Sequence, residues 1–174
     1  MLASLSVSNI VLIEQLTLDF EPGLTVLTGE TGAGKSILLD ALGLALGSRA
    51  DFGLIRRGSQ QAQVSAIFNM SRASPIWRLV DEAGIVSEDQ LILRRRLRSD
   101  GKSSASINDV TQSVGMLRQV GDMLVEIQGQ FEGRGLLDAT THIALLDRAA
   151  GQQQRVSELQ QSWQRWADDR AALE

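Results

Sequence analysis

Apolar and polar residues alternate with a period of two along several short stretches of the first half of the chain. This alternation is typical of strands with one buried face, because successive side chains point to opposite sides of a sheet. Leu2–Val7 and Leu16–Phe20 are the first such stretches and predict a hairpin. In its second strand Leu16, Leu18 and Phe20 are expected to point inward.

The same alternation returns later in the chain. The further alternating segments are Val64–Phe68, Leu91–Leu97 and Ser104–Ile107. Asp100 and Gly101 lie between the last two, and an Asp-Gly pair between strands is a strong hairpin signal. We therefore predict a second hairpin here.

Helical patterns separate these strands. Ser74 and Pro75 suit the start of a short helix that ends at Gly84. The segment Val110–Val120 predicts another helix, and Leu124–Ile127 a further strand.

The end of the chain differs in composition. From Gln152 onward there is no Gly or Pro. Apolar spacings alternate between three and four residues at Val156, Leu159, Trp163, Trp166, Arg170 and Leu173. This is the rhythm of a coiled coil, although one position is arginine and an ordinary amphipathic helix remains the alternative. The pattern meets no stop signal, so we expect the chain to continue beyond its last residue.

Length, charge and cysteine content limit the classes of protein to which the chain can belong. The chain has 174 residues, a net charge of −4 and no cysteine. Disulfides and thiolate metal sites are thereby excluded, and a reducing cytoplasm is expected. No apolar run approaches the roughly 18 residues that suggest a membrane-spanning helix, and no signal peptide is recognisable.

One motif predicts chemistry directly. The pattern G-x-x-x-x-G-K-[ST] of a phosphate-binding loop is matched by Gly29, Glu30, Thr31, Gly32, Ala33, Gly34, Lys35 and Ser36. Lys35 is expected to reach the β- and γ-phosphates of ATP, and the Ser36 hydroxyl to bind Mg²⁺. Leu24–Leu27 is predicted to be a buried strand before the loop, and Ile37–Leu46 a helix after it.

Several segments beyond this loop carry a resemblance. They are Leu5–Ile13, Asp40–Leu42, Gly47–Asp51, Leu54–Gly58, Leu93–Asn108 and Leu124–Gln130. Together with the loop they resemble the N-terminal lobe of SMC-type ATPases, and within that group the RecN-type DNA-repair ATPases.

The resemblance implies a fold and a division of the chain. It implies an α/β P-loop NTPase, the N-terminal lobe of an ABC/SMC-type head with an antiparallel β-subdomain, over residues 1–150. Residues 151–174 would begin a coiled-coil arm. The signature motif and the Walker B carboxylates would lie in a C-terminal lobe outside this chain, since Ile143–Asp147 reads as helix rather than as a Walker B strand.

The resemblance also assigns site residues. Gln130 matches the glutamine of the Q-loop, which completes the Mg²⁺ shell and acts in hydrolysis together with Lys35. The family pattern has histidines on both sides of this Gly-Gln pair, whereas this chain has Gln128 and Phe131. The role of such histidines does not carry over, because His142 is the only histidine here.

Basic residues cluster on the second hairpin. Arg94, Arg95, Arg96, Arg98 and Lys102 lie there, and Arg94, Arg96 and Arg98 share a face by the strand period. Contact with DNA phosphates is one interpretation, and a solvated face or a protein contact is the other. Arg49 follows the P-loop helix, where the resemblance places an arginine facing the nucleotide and the residues alone suggest a helix-end ion pair.

The functional expectation is therefore an ATPase of recombinational double-strand-break repair. Two heads would enclose ATP between them, bind DNA, and act in the cytoplasm, on the nucleoid after DNA damage. A nucleotide-gated clamp with little hydrolysis and an ABC transporter ATPase are the alternatives. Both keep the P-loop, but the transporter would need a signature motif soon after the Q-loop.

Overall fold

A computed structural model describes residues 1–29, 34–71, 73–85, 89–125, 127, 142–143, 146–147 and 149–173. The chain divides into two units, Met1–Glu126 and Ile127–Glu174.

A six-stranded antiparallel sheet organises the first unit. Its strands are β1 (Leu2–Ile10), β2 (Ile13–Asp19), β3 (Gln61–Asn69), β4 (Gln90–Arg98), β5 (Ser103–Ile107) and β6 (Val110–Gln112). They lie in the order β2-β1-β3-β4-β5-β6. Both predicted hairpins are confirmed, with Leu5 opposite Leu18 in the first and Arg95 opposite Ala105 in the second.

Three α-helices accompany the sheet of this unit, and two of them pack on it. The three helices are α1 (Lys35–Ala45), α2 (Ile76–Glu82) and α3 (Val114–Leu124). Helix α1 packs on β1, β3 and β4, and α3 packs on β5. Side chains that alternate inward, such as Val64, Phe68 and Leu93, are fully buried beneath them. Their burial is the main stabilising contribution to this unit.

The short helix predicted after Ser74 and Pro75 is confirmed as α2. The Ser74 hydroxyl accepts a hydrogen bond from the amide of Ile76 at 3.5 Å. Gly84, with φ of +72°, follows its last turn. The left-handed conformation there suits glycine, which lacks the Cβ that would clash.

Two predicted boundaries were wrong. Residues 110–112 form β6, and the helix begins only after Ser113, whose hydroxyl accepts a hydrogen bond from the Met116 amide at 3.0 Å. Helix α3 then runs through Leu124, where a strand was expected. Val125 is extended, but neither it nor Ile127 joins the sheet. Side-chain capping by Ser113 decided the start of the helix.

The predicted buried strand Leu24–Leu27 is also absent. These residues have no regular structure, and Leu24 is 93% and Val26 69% exposed. A strand needs a hydrogen-bonded neighbour, and the described sheet ends at β2 and β6 without pairing this segment.

In the second unit, α4 (Gln153–Leu173) confirms the predicted terminal helix. Leu159, Trp163 and Trp166 are exposed along it, and the two indole rings lie 4.9 Å apart. Pairing of α4 with another helix stays a prediction. No helix in the described ranges is both long and apolar enough to cross a membrane.

Candidate nucleotide site and arginine face

The P-loop motif leads directly into α1. Gly34 precedes the helix with φ of +91°, a conformation that residues with a Cβ rarely adopt. Lys35 is the first residue of α1, and its ammonium group donates to the carbonyl oxygen of Gly29. This contact places the lysine over the start of the motif. Ser36 is exposed one residue further on, and residues 30–33 lie outside the described part of the chain.

The N-terminus of α1 suits an anion. The first turn contains no acidic residue, and no side chain caps it. The first amides of a helix have no partner within the helix, and the helix dipole adds a partial positive charge at this end. With Lys35 beside them, these groups can bind the phosphates of a nucleotide.

The opposite end of α1 is held by glycines in direct contact with α3. A Cβ on Gly47 would lie 2.5 Å from the amide nitrogen of Arg118. A Cβ on Gly121 would lie 2.5 Å from the carbonyl oxygen of Leu46. The two backbones therefore touch at a distance that only glycine permits, which fixes α1 against α3. No sequence pattern pointed to this contact.

Other predicted site residues are not brought to Lys35 in the described structure. Gln130 lies outside the described residues, so its Q-loop role stays a prediction. Arg49 is exposed beyond the far end of α1, roughly 16 Å of helix from Lys35. The expected ion pair of Arg49 at the helix end is not among those formed by the described residues. Asp147 is helical, as expected, and not on a Walker B strand.

Arg94, Arg96 and Arg98 share the outer face of β4, and we call them the outer arginines. Arg94 pairs with Asp109. The Nε and Nη2 atoms of Arg96 donate to Gln63 Oε1 at 3.1 and 2.8 Å.

The third outer arginine lies near the turn of the second hairpin. Arg98 Nη2 lies 3.4 Å from Asp100 Oδ2, and Lys102 Nζ lies 3.9 Å from the same oxygen. Of the three outer arginines, Arg96 alone has no carboxylate in ion-pair range among the described residues.

Hydroxyl and amide side chains surround the outer arginines. Arg94 lies opposite Ser65 and Ser106, and Arg96 lies opposite Gln63 and Ser104. Further across the sheet the rows continue with Ser6, Ser8, Thr17 and Gln15. The outer face is thus polar and positively charged at β4, with neutral hydrogen-bonding groups on both sides.

Arg95 does not belong to the outer face, although the sequence places it in the same cluster. It points inward with Leu93 and Leu97 and is 2% exposed. Burial lowers the pKa of its guanidinium below the ordinary value. The strand period could have predicted this orientation, because Arg95 is in phase with the two leucines.

The fold is that of SMC-type ATPase heads, with the P-loop motif leading into α1. The chain belongs to the AAA domain family, whose model matches residues 4–164. Two solved structures share the fold. One is described as "Structural biochemistry of ATP-driven dimerization and DNA stimulated activation of SMC ATPases". It superposes on this chain with a TM-score of 0.59 and 23% sequence identity, and the match covers 74% of this chain and 86% of that one. The Smc head domain with an extended coiled coil from Pyrococcus furiosus gives 0.60 and 21%, covering 96% and 48%.

Sequence similarity identifies the relatives more narrowly. The chain is 43% identical over 152 residues to the DNA repair protein RecN of Halalkalibacterium halodurans. The match includes 87% of this chain and 27% of that protein. The chain is therefore homologous to RecN proteins and spans about a quarter of this relative's length.

Proposed function

We propose that the chain is the ATP-binding N-terminal lobe of a RecN-like ATPase that acts in double-strand-break repair. The observation that carries this proposal is the uncapped N-terminus of α1, with Gly34 in the left-handed conformation and the Lys35 ammonium donating to the Gly29 carbonyl oxygen. Homology to RecN supplies the repair role. Such a protein would act in the cytoplasm, on the nucleoid after DNA damage.

ATP and Mg²⁺ fit the residues present. The α1 amides and Lys35 would hold the phosphates, the Ser36 hydroxyl would bind the metal, and Gln130 would complete its shell. When bound, Mg²⁺ supplies charge neutralisation on the phosphate oxygens. Lys35 adds a fixed positive charge where negative charge develops during phosphoryl transfer.

The C-terminal lobe of the same head is the first proposed partner. Leu24, Val26 and Leu27 are exposed beside the P-loop, an unusual position for three large apolar side chains so near one another. A second lobe that adds strands next to this segment would bury them. It would also bring the signature motif and the Walker B carboxylates.

A second head and DNA are the other proposed partners. A structure of the same fold is described in terms of ATP-driven dimerization and DNA-stimulated activation. We extend both properties to the longer protein of which this chain forms part. The outer arginines and their hydroxyl neighbours are the surface that we assign to DNA phosphates.

The nucleotide site can be tested by two substitutions in the longer protein. Lys35→Ala should weaken ATP binding by about 10- to 100-fold, because it removes a charge-assisted contact to phosphate. Gln130→Ala should leave binding nearly unchanged and reduce turnover. Titration with a fluorescent ATP analogue and phosphate-release assays measure both effects, with Lys102→Ala as the charge-matched control.

The same assays separate the rival functions. The 174-residue chain should bind ATP without turning it over, because the hydrolytic carboxylates lie elsewhere. Equal affinity loss in the Lys35 and Gln130 variants would refute the Q-loop assignment. Negligible turnover by the longer protein, with or without DNA, would favour a nucleotide-gated clamp over an ATPase.

A further inference from the structure

Arg95 is the single buried polar or charged residue in the described part of the chain. It lies at the centre of β4, opposite Val64 on β3 and Ala105 on β5. Leu93 and Leu97 flank it on the same face, so its immediate surroundings in the sheet are apolar. A guanidinium remains protonated in proteins, so a full positive charge lies in this core.

Two nitrogens of the guanidinium have no hydrogen-bond partner. Its Nε and Nη1 atoms are fully buried and make no hydrogen bond. No Asp or Glu residue of the described ranges is buried with it, because all of them are exposed apart from the half-buried Asp147. The third nitrogen, Nη2, is not among the buried unpaired atoms.

The neighbouring outer arginines show that this situation is specific to Arg95. Arg94 and Arg98 contact carboxylates, and Arg96 contacts an amide oxygen. Arg94 also has a buried Nε without a partner, but its Nη1 is paired. One strand therefore carries three arginines with side-chain partners on its solvated face and, in its core, one arginine with two unpaired nitrogens.

An unpaired buried charge is strongly unfavourable, whereas a buried ion pair with its hydrogen bonds satisfied can be neutral. Small side chains are the neighbours of Arg95 in the sheet. Ala62 and Ala66 lie opposite Leu97 and Leu93, and Ala105 lies opposite Arg95 itself. The chain also spans only about a quarter of its relative, so most of that relative has no counterpart within these 174 residues.

We propose that Arg95 is an internal docking site for a carboxylate of the longer protein, contributed by a segment outside these 174 residues. The carboxylate would approach through Nη2 and accept hydrogen bonds from the guanidinium, so that the charge is neutralised when the head is complete. The inference rests on the proposed function in one respect, namely that the chain is part of a larger head. It assigns Arg95 a role in assembly rather than in ATP binding.

The test compares one substitution in two contexts. Arg95→Met keeps an unbranched, flexible side chain and removes the charge. In the 174-residue chain it should raise the melting temperature by about 2–4 °C, because an uncompensated charge is lost. In the longer protein it should lower the melting temperature by at least as much, because the carboxylate then loses its partner.

Arg95→Lys provides a second variant that retains the charge without the planar fork. It should be less stable than Arg95→Met in the 174-residue chain and more stable than Arg95→Met in the longer protein. Arg98→Met, on the exposed end of the same strand, is the control and should change both melting temperatures by less than about 1 °C.

The inference is overturned if Arg95→Met has the higher melting temperature in both proteins, because the carboxylate partner is then absent altogether. A higher melting temperature of Arg95→Lys in both proteins would overturn it as well, because the partner then lies within this chain. It is also overturned if the reversal depends on protein concentration, because the carboxylate would then come from a second copy. ATP affinity measured on the same samples reports separately on the nucleotide site. Arg95→Met should leave that affinity unchanged, so failure of one proposal is distinguishable from failure of the other.

Discussion

At the scale of single residues, the three outer arginines differ in how far their charge is neutralised by a neighbouring carboxylate. Arg94 and Arg98 each contact a carboxylate, whereas Arg96 is held by the neutral amide of Gln63. A phosphate that approaches Arg94 must compete with Asp109. We therefore expect Arg96 to contribute most to DNA binding, and we expect Asp109 to weaken DNA binding.

This expectation can be measured through the salt dependence of duplex DNA binding by the longer protein. Arg96→Ala should reduce the slope of log affinity against log salt by about 0.9, the value of one phosphate contact. Asp109→Asn should raise the affinity at low salt, because Arg94 is released. Arg78→Ala, which removes an exposed charge from α2, is the matched control and should change the slope much less. An unchanged slope in Arg96→Ala would leave the outer arginines as a solvated face.

The strand period of two predicted which arginines share the outer face. The inward orientation of Arg95 was missed, because its basic side chain was grouped with the neighbouring arginines. Four basic residues in five positions suggest one surface, although a strand must send every second one to the other side. Backbone strain was also beyond prediction. Val11 has φ of +48°, a conformation that is rare for a β-branched residue. Its amide donates to the Leu54 carbonyl oxygen at 2.8 Å, a long-range contact that no local pattern encodes.

At the scale of elements, regular strands and helices were predicted best where their periodicity was supported by neighbours in the same chain. Both hairpins and α2 have such neighbours, and the structure confirms them. Leu24–Leu27 has the composition of a strand but no neighbour to pair with among the described strands. An apolar, β-branched composition therefore permits a strand, but a strand forms only where another strand is available to pair with it.

The contact between α1 and α3 gives a prediction at this scale. Gly121→Ala should destabilise the chain by about 1–3 kcal/mol, because its Cβ would lie 2.5 Å from the Leu46 carbonyl oxygen. Gly115→Ala, on the same helix, meets only the Ser113 hydroxyl at 3.8 Å and should be neutral or stabilising by up to about 1 kcal/mol. Urea denaturation compares them. Similar free energies of unfolding for both variants would show that α1 and α3 can separate without cost.

At the scale of the whole molecule, the exposed apolar residues Leu24, Val26 and Leu27 lie just before the P-loop motif in the chain. Val26 is 69% exposed in the 174-residue chain, and we propose that a C-terminal lobe covers it. The sequence alone could not reveal this exposure, because an apolar run gives no information about which chain segment will bury it.

Val26→Asp tests that proposal. In the 174-residue chain the free energy of unfolding should change by less than about 0.5 kcal/mol, as for other exposed sites. In the longer protein it should fall by more than about 2 kcal/mol, because a charge would be buried without a partner. Equal small changes in both proteins, measured by urea denaturation, would mean that no lobe covers this segment.

The position of β1 in the sheet has a consequence for how the chain folds. β1 pairs with β2, its neighbour in sequence, and with β3, which follows only after residues 20–60. Residues 20–60, which include the P-loop motif and α1, therefore form a long connection whose two ends are held together by β1. Closing a loop of this length costs entropy, whereas β3–β6 pair in sequential order over shorter separations. We expect β3–β6 to assemble early and β1 to join them late. The segment that contains the P-loop motif would then be fixed at both ends only in the last step of folding.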